Sequence, residues 1–384
     1  MIVLVAGDFV PRNRVEKMTE SGDYSYFDEV RLVTDEVDYS IVNFESPIVD
    51  ENADPIEKTG PNLKCHSNSM IAVKYAGFQC VTLANNHFYD FGEQGVYRTI
   101  EACHDNGIDY VGGGKNIEEA EKVLYKRIGN ETLAIINFCE NEWSIASENS
   151  GGSAPLNLIR NVHKIQEAKN NADYVLVIVH GGTEQYQLPS PRMKETYRFF
   201  VEQGADAVVN HHQHCFSGFE VFQGKPIFYG LGNLCFDYNN IQNKLWNEGY
   251  CIKLIFRKDS ISYILLPYQQ CSDLPKVQFI TQDRDFMDQI SYLNSIIDND
   301  KNLQDSFIIM ARTKPFLQFF EPINNKFLNI IKYKAKGLIP SFLSQRKKNI
   351  ILELFRCESH RDVMFYLLNK EKLNNENSNS KNKH

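Results

Sequence analysis

Tyr174-Val-Leu-Val-Ile-Val-His180 is an unbroken apolar run that ends on a histidine. A run without polar alternation describes a strand buried on both faces, the habit of parallel sheets in α/β proteins. Such sheets place their chemistry beyond the carboxyl ends of their strands. The position of His180 therefore carries as much weight as the run before it.

The same grammar recurs on both sides of this stretch. Asp8 follows the apolar residues 2–6, and Glu45 closes Tyr39-Ser-Ile-Val-Asn-Phe-Glu45 just before Ser46-Pro47. Asn86-His87 terminates Cys80-Val-Thr-Leu-Ala-Asn-Asn-His87, and His211-His212-Gln213-His214 follows Ala207-Val-Val-Asn210. Strands are predicted at 2–6, 38–44, 79–84, 108–111, 173–179 and 205–209. Helices are predicted at 67–76, 93–106, 158–171 and 190–203, the last opening with Ser190 as N-cap and Pro191 at the first helical position. Turns at Gly129-Asn130, Gln223-Gly224 and Lys258-Asp259, each between strand-like runs, add hairpins to the βαβ rhythm. Antiparallel strands thus join parallel ones, as in an α/β sandwich of two sheets with helices outside.

A chain of 384 residues at 42% hydrophobic content can bury a large core and still carry an appendage. The apolar start at residue two, without a basic leader, reads against a secretory signal. No window approaches a membrane-spanning length, so a soluble, cytoplasmic protein is expected. Nine cysteines, odd in number, scattered from Cys65 to Cys357 and without a CxxC pair, fit reduced thiols used mainly in packing. The net charge of −8 is uneven: residues 301–384 hold 16 Lys/Arg against 7 Asp/Glu. The acidic remainder excludes a generic nucleic-acid binder, because it would repel phosphate backbones.

Five strand ends bearing Asp, Glu, Asn and His are predicted to converge on one edge. Any single one is commonly a turn former or a surface group; their joint occurrence points to a metal centre. His66, His104, His163, His360 and His384 lie outside the pattern. His211 reads as a group behind the ligands or against substrate. His212 and His214, two apart in a tight loop, can face two different ions, or one ion and a substrate oxygen. Imidazole, carboxylate and amide oxygen together suit one or two divalent ions, Mn²⁺, Fe²⁺ or Zn²⁺, and the absence of clustered thiolates argues against a structural zinc. Paired ions roughly 3.5–4 Å apart bind phosphate and activate water, so phosphoester hydrolysis is the default chemistry.

Gly7-Asp8, Asn43-Phe44-Glu45, Leu83-Ala-Asn-Asn-His87 with Asp90 and Gly92, Gly112-Gly-Gly-Lys-Asn116 with Glu119-Ala120, and His180-Gly-Gly-Thr-Glu184 occur in order. Gly204-Ala-Asp206, His211-His-Gln-His214, and Lys225-Pro-Ile-Phe-Tyr-Gly-Leu-Gly-Asn233 with Phe236 follow. This series resembles the CapA, or poly-γ-glutamate capsule synthesis, family over about residues 1–270. The resemblance implies a two-sheet, metallophosphatase-like sandwich related to calcineurin-like phosphatases. It makes Asp8 the first aspartate of the metal set, Glu45 the bridging carboxylate and Asn86 a ligand, with His87 as general acid. It also implies that His180 and His212 serve one ion and His214 the other. The chain departs from the wider phosphoesterase pattern at Val10, where a histidine is usual, and from the family at Gly181 and Asn210, where a Trp and a Gly are usual.

Three further positions carry alternatives. Glu184 is expected to orient His180 by a hydrogen bond or to sit exposed at a helix start. Asp90 either holds the His87 tautomer or caps the next helix, with the cap preferred. Asn233 is expected to shape a turn, and only the resemblance brings it near the site.

The reading is a metal-dependent, phosphoesterase-like protein of capsule or surface-polymer biosynthesis, acting on a phosphorylated or anionic polymer-related substrate. A non-catalytic metal-binding assembly factor is the rival, and a site for amide-linked glutamyl polymer is a third reading. Residues 1–275 are expected to form the core domain. A helical extension is expected over 276–368, with β signals ending near 275, and a disordered polar tail over 369–384. In the extension Phe316, Phe319, Phe320, Ile323, Phe327, Ile330 and Ile331 form a helical stripe, interrupted at Pro322 and Pro340. The stripe is flanked by Lys332, Lys334, Lys336, Arg346, Lys347 and Lys348. It either packs on its own domain or makes a peripheral contact with an anionic membrane.

Overall fold

The structure is a computed structural model that describes residues 1–50, 52–238, 243–280, 284–313 and 344–367. It is a mixed α/β sandwich of two sheets flanked by helices, the class and layering expected from the sequence. The first sheet runs, in spatial order, Val277–Phe279, Ser260–Gln270, Glu248–Arg257, Ile2–Val10, Tyr39–Phe44, Cys80–Thr82 and Asp109–Val111, with Asn233–Phe236 also paired to Ile2–Val10. The second runs Phe219–Phe222, Lys225–Phe228, Ala207–His211, Tyr174–His180, Glu131–Cys139 and Leu124–Ile128. The second sheet has a parallel centre edged on both sides by antiparallel hairpins, whereas in the first the parallel strands run to the edge at Asp109–Val111 and the antiparallel strands lie on the other side.

Period-two geometry divides the core. From the strand Ile2–Val10, Val3 and Val5 point into the cluster formed with Leu133, Ile135, Val177 and Ile252. Leu4, Ala6 and Phe9 point the other way, against Val15, Val30, Met70 and Val73 of the outer helices. Both faces are covered, so the strand reads as continuous hydrophobicity with no polar face.

All three predicted hairpins form, and Gln223 and Gly224 have φ of 50° and 76°, the left-handed pair that a type I′ turn requires. Ser190 caps the helix Pro191–Glu202 by accepting from the Met193 amide. Among the described residues four helices, Asn13–Ser21, Asp28–Thr34, Ile117–Ala120 and Lys244–Asn247, add to those expected; all are short, and the first two carry no capping side chain. The β signal also extends past residue 275, because Val277–Phe279 adds an edge strand to Ser260–Gln270. Beyond it lie the helices Arg284–Ile297, Asp300–Thr313 and Gln345–Arg356, and a further helix over 358–367. The predicted Phe/Ile stripe from Phe316 to Ile331, its breaks at Pro322 and Pro340, Lys332, Lys334 and Lys336, and the tail 369–384 lie outside the described residues. All nine cysteines are buried and unpaired. Among the described residues no helix is long and apolar enough to cross a membrane.

Candidate metal centre

Sheet register performs the assembly. In the first sheet Asp8 stands opposite both Asn43 and Asn233 on its parallel neighbours. In the second, Cys139, His180 and His211 stand in one row at the strand ends. Asp8 itself depends on the glycine before it. A Cβ on Gly7 would lie 2.0 Å from the Gly232 carbonyl oxygen, and that same oxygen accepts the Asp8 amide at 3.1 Å.

The opposing rows meet in two sets of ligand atoms, Asp8 with Glu45 and His214, and Glu45 with His180 and His212, every residue buried. Within each set the atoms lie within 4.8 Å of one another. Glu45 is common to both. Its Oε1 stands 3.4 Å from His180 Nε2 and 3.6 Å from His214 Nε2, yet neither carboxylate oxygen has a hydrogen-bond partner. Buried polar atoms are nearly always hydrogen-bonded, so an orphaned carboxylate facing imidazoles marks a cation position. Asn86 joins the His180 set, because its Nδ2 donates to Glu142 Oε2 at 3.4 Å and so turns Oδ1 to within 3.1 Å of His180 Nε2.

The loop bearing His212 and His214 is held in an uncommon conformation. Both residues have positive φ, 90° and 52°, and side chains other than glycine adopt that at a cost of about 1–3 kcal/mol each. The result is that His212 serves one set and His214 the other. His214 Nδ1 donates to Asn233 Oδ1 at 2.9 Å, and the His214 ring packs against Trp246 at 5.2 Å between centroids. Asn43 donates to Asp8 Oδ1 at 2.7 Å and is itself fixed by Thr82.

Electrostatics follow from burial and neighbours. Burial, and then the charges of His212, His211 and His214, hold His180 well below the usual imidazole range, which leaves a ligand lone pair free. His214 goes the other way. Burial opposes its charge, but Glu45 and Asp8 outweigh burial and push it up to about 10, so in the metal-free protein an imidazolium stands where a cation would. Burial raises the Glu45 carboxyl well above its ordinary range, against the pull of His214 and with the push of Asp8. Asp8 stays below its ordinary value because hydrogen bonding and charge from His214 and His211 overcome its burial.

His87 lies beside the two sets, in a triad that the sequence reading did not resolve. Its Nδ1 donates to Asp90 Oδ2 at 2.6 Å, while Lys58 pairs with Asp90 Oδ1 and the Leu63 amide donates to Asp90 Oδ2 at 2.7 Å. That fixes the tautomer and leaves Nε2 as the free nitrogen. The preferred cap role for Asp90 is therefore corrected: the helix Gly92–Asn106 starts without a side-chain cap, and the carboxylate is spent on His87 and Lys58. Of the two alternatives for Glu184, the exposed one is found, at a turn and not at a helix start. No hydrogen bond among the described residues joins it to His180, whose hydrogen-bond partners are Asn43, Asn86 and His212. His211 is buried and donates Nε2 to the Ala6 carbonyl at 3.0 Å, tying the two sheets together behind the ligands. Asn233 does not merely turn the chain; it begins the strand Asn233–Phe236 and grips His214.

Of the departures, Val10 is fully buried with Leu63 and Phe236, an apolar wall beside the Asp8 set. Asn210 takes up the space of a missing glycine by donating to the Gly181, His211 and Tyr229 carbonyls and accepting from Tyr197. Sequence reasoning missed Glu142, whose Oε1 lies 3.7 Å from His212 Nε2, and Lys58. Glu142 could have been found, because Glu140-Asn-Glu142 follows the strand Glu131–Cys139 as His180 follows its own. Lys58 sits in a loop without periodicity and gave no signal.

Comparison with known proteins identifies a family. Capsule biosynthesis protein CapA of Bacillus anthracis is 32% identical over 246 residues, 62% of this chain and 60% of that protein. PGA biosynthesis protein CapA of Bacillus subtilis (strain 168) is 32% identical over 235 residues, 60% of this chain and 62% of that protein. The chain thus spans about 60% of the length of these curated relatives. A hypothetical protein of known structure from Thermus thermophilus is similar at 15% identity and a TM-score of 0.47, over 73% of this chain and all of that one. The model of the family described as bacterial capsule synthesis protein PGA_cap matches residues 2–238, which is more than half of the sequence, and the chain belongs to that family.

Proposed function

We propose that the chain is a metal-dependent phosphoesterase-like protein acting in capsule or poly-γ-glutamate biosynthesis, on a phosphorylated or anionic polymer-related substrate. The observation that carries this is the orphaned Glu45 carboxylate shared by two ligand sets. Asp8 and His214 would hold one cation with Glu45; His180, His212 and Asn86 would hold the other. Mixed nitrogen and oxygen donors favour Mn²⁺, Fe²⁺ or Zn²⁺. Cations so held supply Lewis acidity, which activates water and neutralises phosphoryl charge. His87, with Nδ1–H committed to Asp90, offers Nε2 for proton transfer at the leaving oxygen. Burial, then the nearby Lys58, holds its pKa below the usual imidazole range, so the resting ring is neutral and Nε2 takes up a proton before it gives one to the leaving oxygen.

The test is metal analysis of purified protein together with phosphoester hydrolysis in Mn²⁺. Asp8→Asn and His180→Ala are then compared for metal content, hydrolysis and polymer production. A protein that binds none of these metals and hydrolyses no phosphoester sinks the proposal. The rival reading, a metal-binding but non-catalytic assembly factor, draws on Val10, which gives the Asp8 cation an apolar neighbour where a second protein nitrogen would stand. Polymer production that needs the ligands, without hydrolysis, supports that rival.

A cytoplasmic location is part of the proposal, supported by nine unpaired thiols. Peripheral contact with anionic lipid is a further part. Arg346 and Lys348 are exposed on the same helix as Leu352 and Phe355, and sedimentation with anionic vesicles tests it.

A further inference from the structure

The helix Gln345–Arg356 and the helix over 358–367 lie outside the residues matched by the family model, and they meet at Cys357, an extended residue with φ −72° and ψ 125°. Glu353, Cys357 and His360 follow one another at helical spacings of four and three, so they share a face across that break. Their ligand atoms all lie within 4.8 Å of one another, with Glu353 Oε1 3.9 Å from His360 Nδ1.

We infer that Glu353, Cys357 and His360 form a second, separate cation site for a thiophilic divalent ion such as Zn²⁺ or Fe²⁺. Glu353 is only 4% exposed, and its Oε1 has no hydrogen-bond partner. An unbonded carboxylate oxygen at that burial needs a cation or a donor, and the cluster faces it with a thiol and an imidazole. Thiolate, imidazole and carboxylate are the donor set that selects such metals, and three protein ligands leave one coordination position open. Binding releases the Cys357 thiol proton to solvent.

The surroundings carry surplus negative charge. Burial, and after it the charge of Glu142, pushes the Glu353 carboxyl up to about 7, against the pull of Arg356. Glu140 lies 3.9 Å from the Cys357 sulfur, and Glu358 is bonded to Asn141. The guanidiniums compensate this only in part: Arg192 reaches Glu140 and Asp362, and Arg356, stacked over the Trp143 ring at 4.0 Å, pairs through Nε with Glu353 Oε2 at 3.3 Å and leaves Oε1 to the cluster. The strand-end segment from Glu140 to Trp143 also holds Glu142 beside His212, so an ion here fastens the C-terminal helices to the rim of the metal centre.

The centre formed by Asp8, Glu45, Asn86, His180, His212 and His214 contains no cysteine, which allows the two sites to be told apart. Cobalt(II) is titrated into the metal-stripped full chain while the near-ultraviolet thiolate-to-cobalt charge-transfer band is followed. At saturation the band is expected to have the amplitude of one thiolate-bound cobalt per chain. Cys357→Ser is expected to abolish it with the circular dichroism unchanged, and Asp8→Asn is expected to leave it intact. If Cys357→Ser does not fold, His360→Ala, at a half-buried position, is expected to weaken cobalt binding at the band by about tenfold or more. No band in the wild type, a band that persists in Cys357→Ser, or unchanged affinity in His360→Ala overturns the inference. In those cases the ion pair of His360 with Glu353 and the Cys357 contact with Glu140 account for the cluster by themselves. Absence of hydrolysis bears on the proposed function and leaves this site untouched.

Discussion

Glu45→Gln is the substitution in which stability and metal binding should part company. In the metal-free protein both Glu45 oxygens are buried without hydrogen bonds. A buried polar group left unsatisfied costs about 1–3 kcal/mol, and more if ionised. The His214 imidazolium returns part of that, from 3.6 Å. Glutamine keeps the shape, removes the charge and brings a donor to the neighbouring imidazoles. We therefore expect the metal-stripped variant to be about 1–2 kcal/mol more stable than the wild type. For a chain of this size that is a rise in Tm of about 1–2.5 °C. Metal reverses the order: a ligand at 100 times its Kd adds about 2.7 kcal/mol per site, and loss of the shared carboxylate weakens both sites at once. Thermal unfolding followed by circular dichroism, with EDTA and then with Mn²⁺, reads both effects. The pH dependence has a definite sign. Burial raises the folded-state pKa of Glu45, so its favourable contribution is complete below the unfolded carboxyl value of about 4.3 and is lost as pH rises through the folded value. The gap between variant and wild type should close in acid and open as pH rises. His214, raised to about 10, adds a loss of the same sign in the wild type between the unfolded imidazole value of about 6.5 and that pH. A metal-free Glu45→Gln that is less stable than wild type, and that Mn²⁺ stabilises just as much, would refute the assignment of Glu45 as the shared ligand.

Asp90→Asn removes the acceptor that fixes His87 and strands Lys58; kcat for phosphoester hydrolysis is expected to fall about 100-fold with little change in KM, and an unaltered kcat would remove His87 from proton transfer. Asn233→Ala frees His214 Nδ1 from its 2.9 Å bond, and metal affinity is expected to drop about 10- to 100-fold, read as metal retained after dialysis; full retention would make Asn233 a purely architectural residue. Arg192→Met breaks its bonds of 2.5 Å to Glu140 and 2.7 Å to Asp362, leaving one buried and one half-buried carboxylate uncompensated. A cost of about 3 kcal/mol is expected, together with earlier proteolytic cleavage within 344–367, and a cleavage pattern equal to the wild type would show that this pair does not hold the C-terminal helices.

What could be read in advance was what repeats with a period. Apolar runs such as Tyr174–His180 announced their strands because burial on both faces leaves no polar alternation, and a strand end is also where open α/β sheets place ligands. Asp8, Glu45, Asn86, His180, His212 and His214 were therefore legible as a set, although none of them is informative alone. Turn chemistry was equally local: Gln223-Gly224 supplies positive φ at two successive positions, and the hairpin follows. Helices such as Asn13–Ser21, which lack a capping side chain, had no such local signal to offer.

The groups that were missed act across long sequence separations and answer to charge. Lys58 finds Asp90 from a loop, Glu142 finds His212 from the opposite wall, and Arg192 finds Asp362 170 residues away. A single charged residue has no period, so its partner is visible only once the sheets have set the register. Asp90 reads as a helix cap for the same reason. Its place before a helix is a local fact, whereas its partners, His87 on one side and Lys58 on the other, depend on where the loop 56–63 closes over the strand ends. Function here is written chiefly in such closures. The strands bring six candidate ligands to one edge, but it is residues without pattern, Asn233 behind His214, Asn43 behind Asp8 and Asp90 behind His87, that decide how each side chain points.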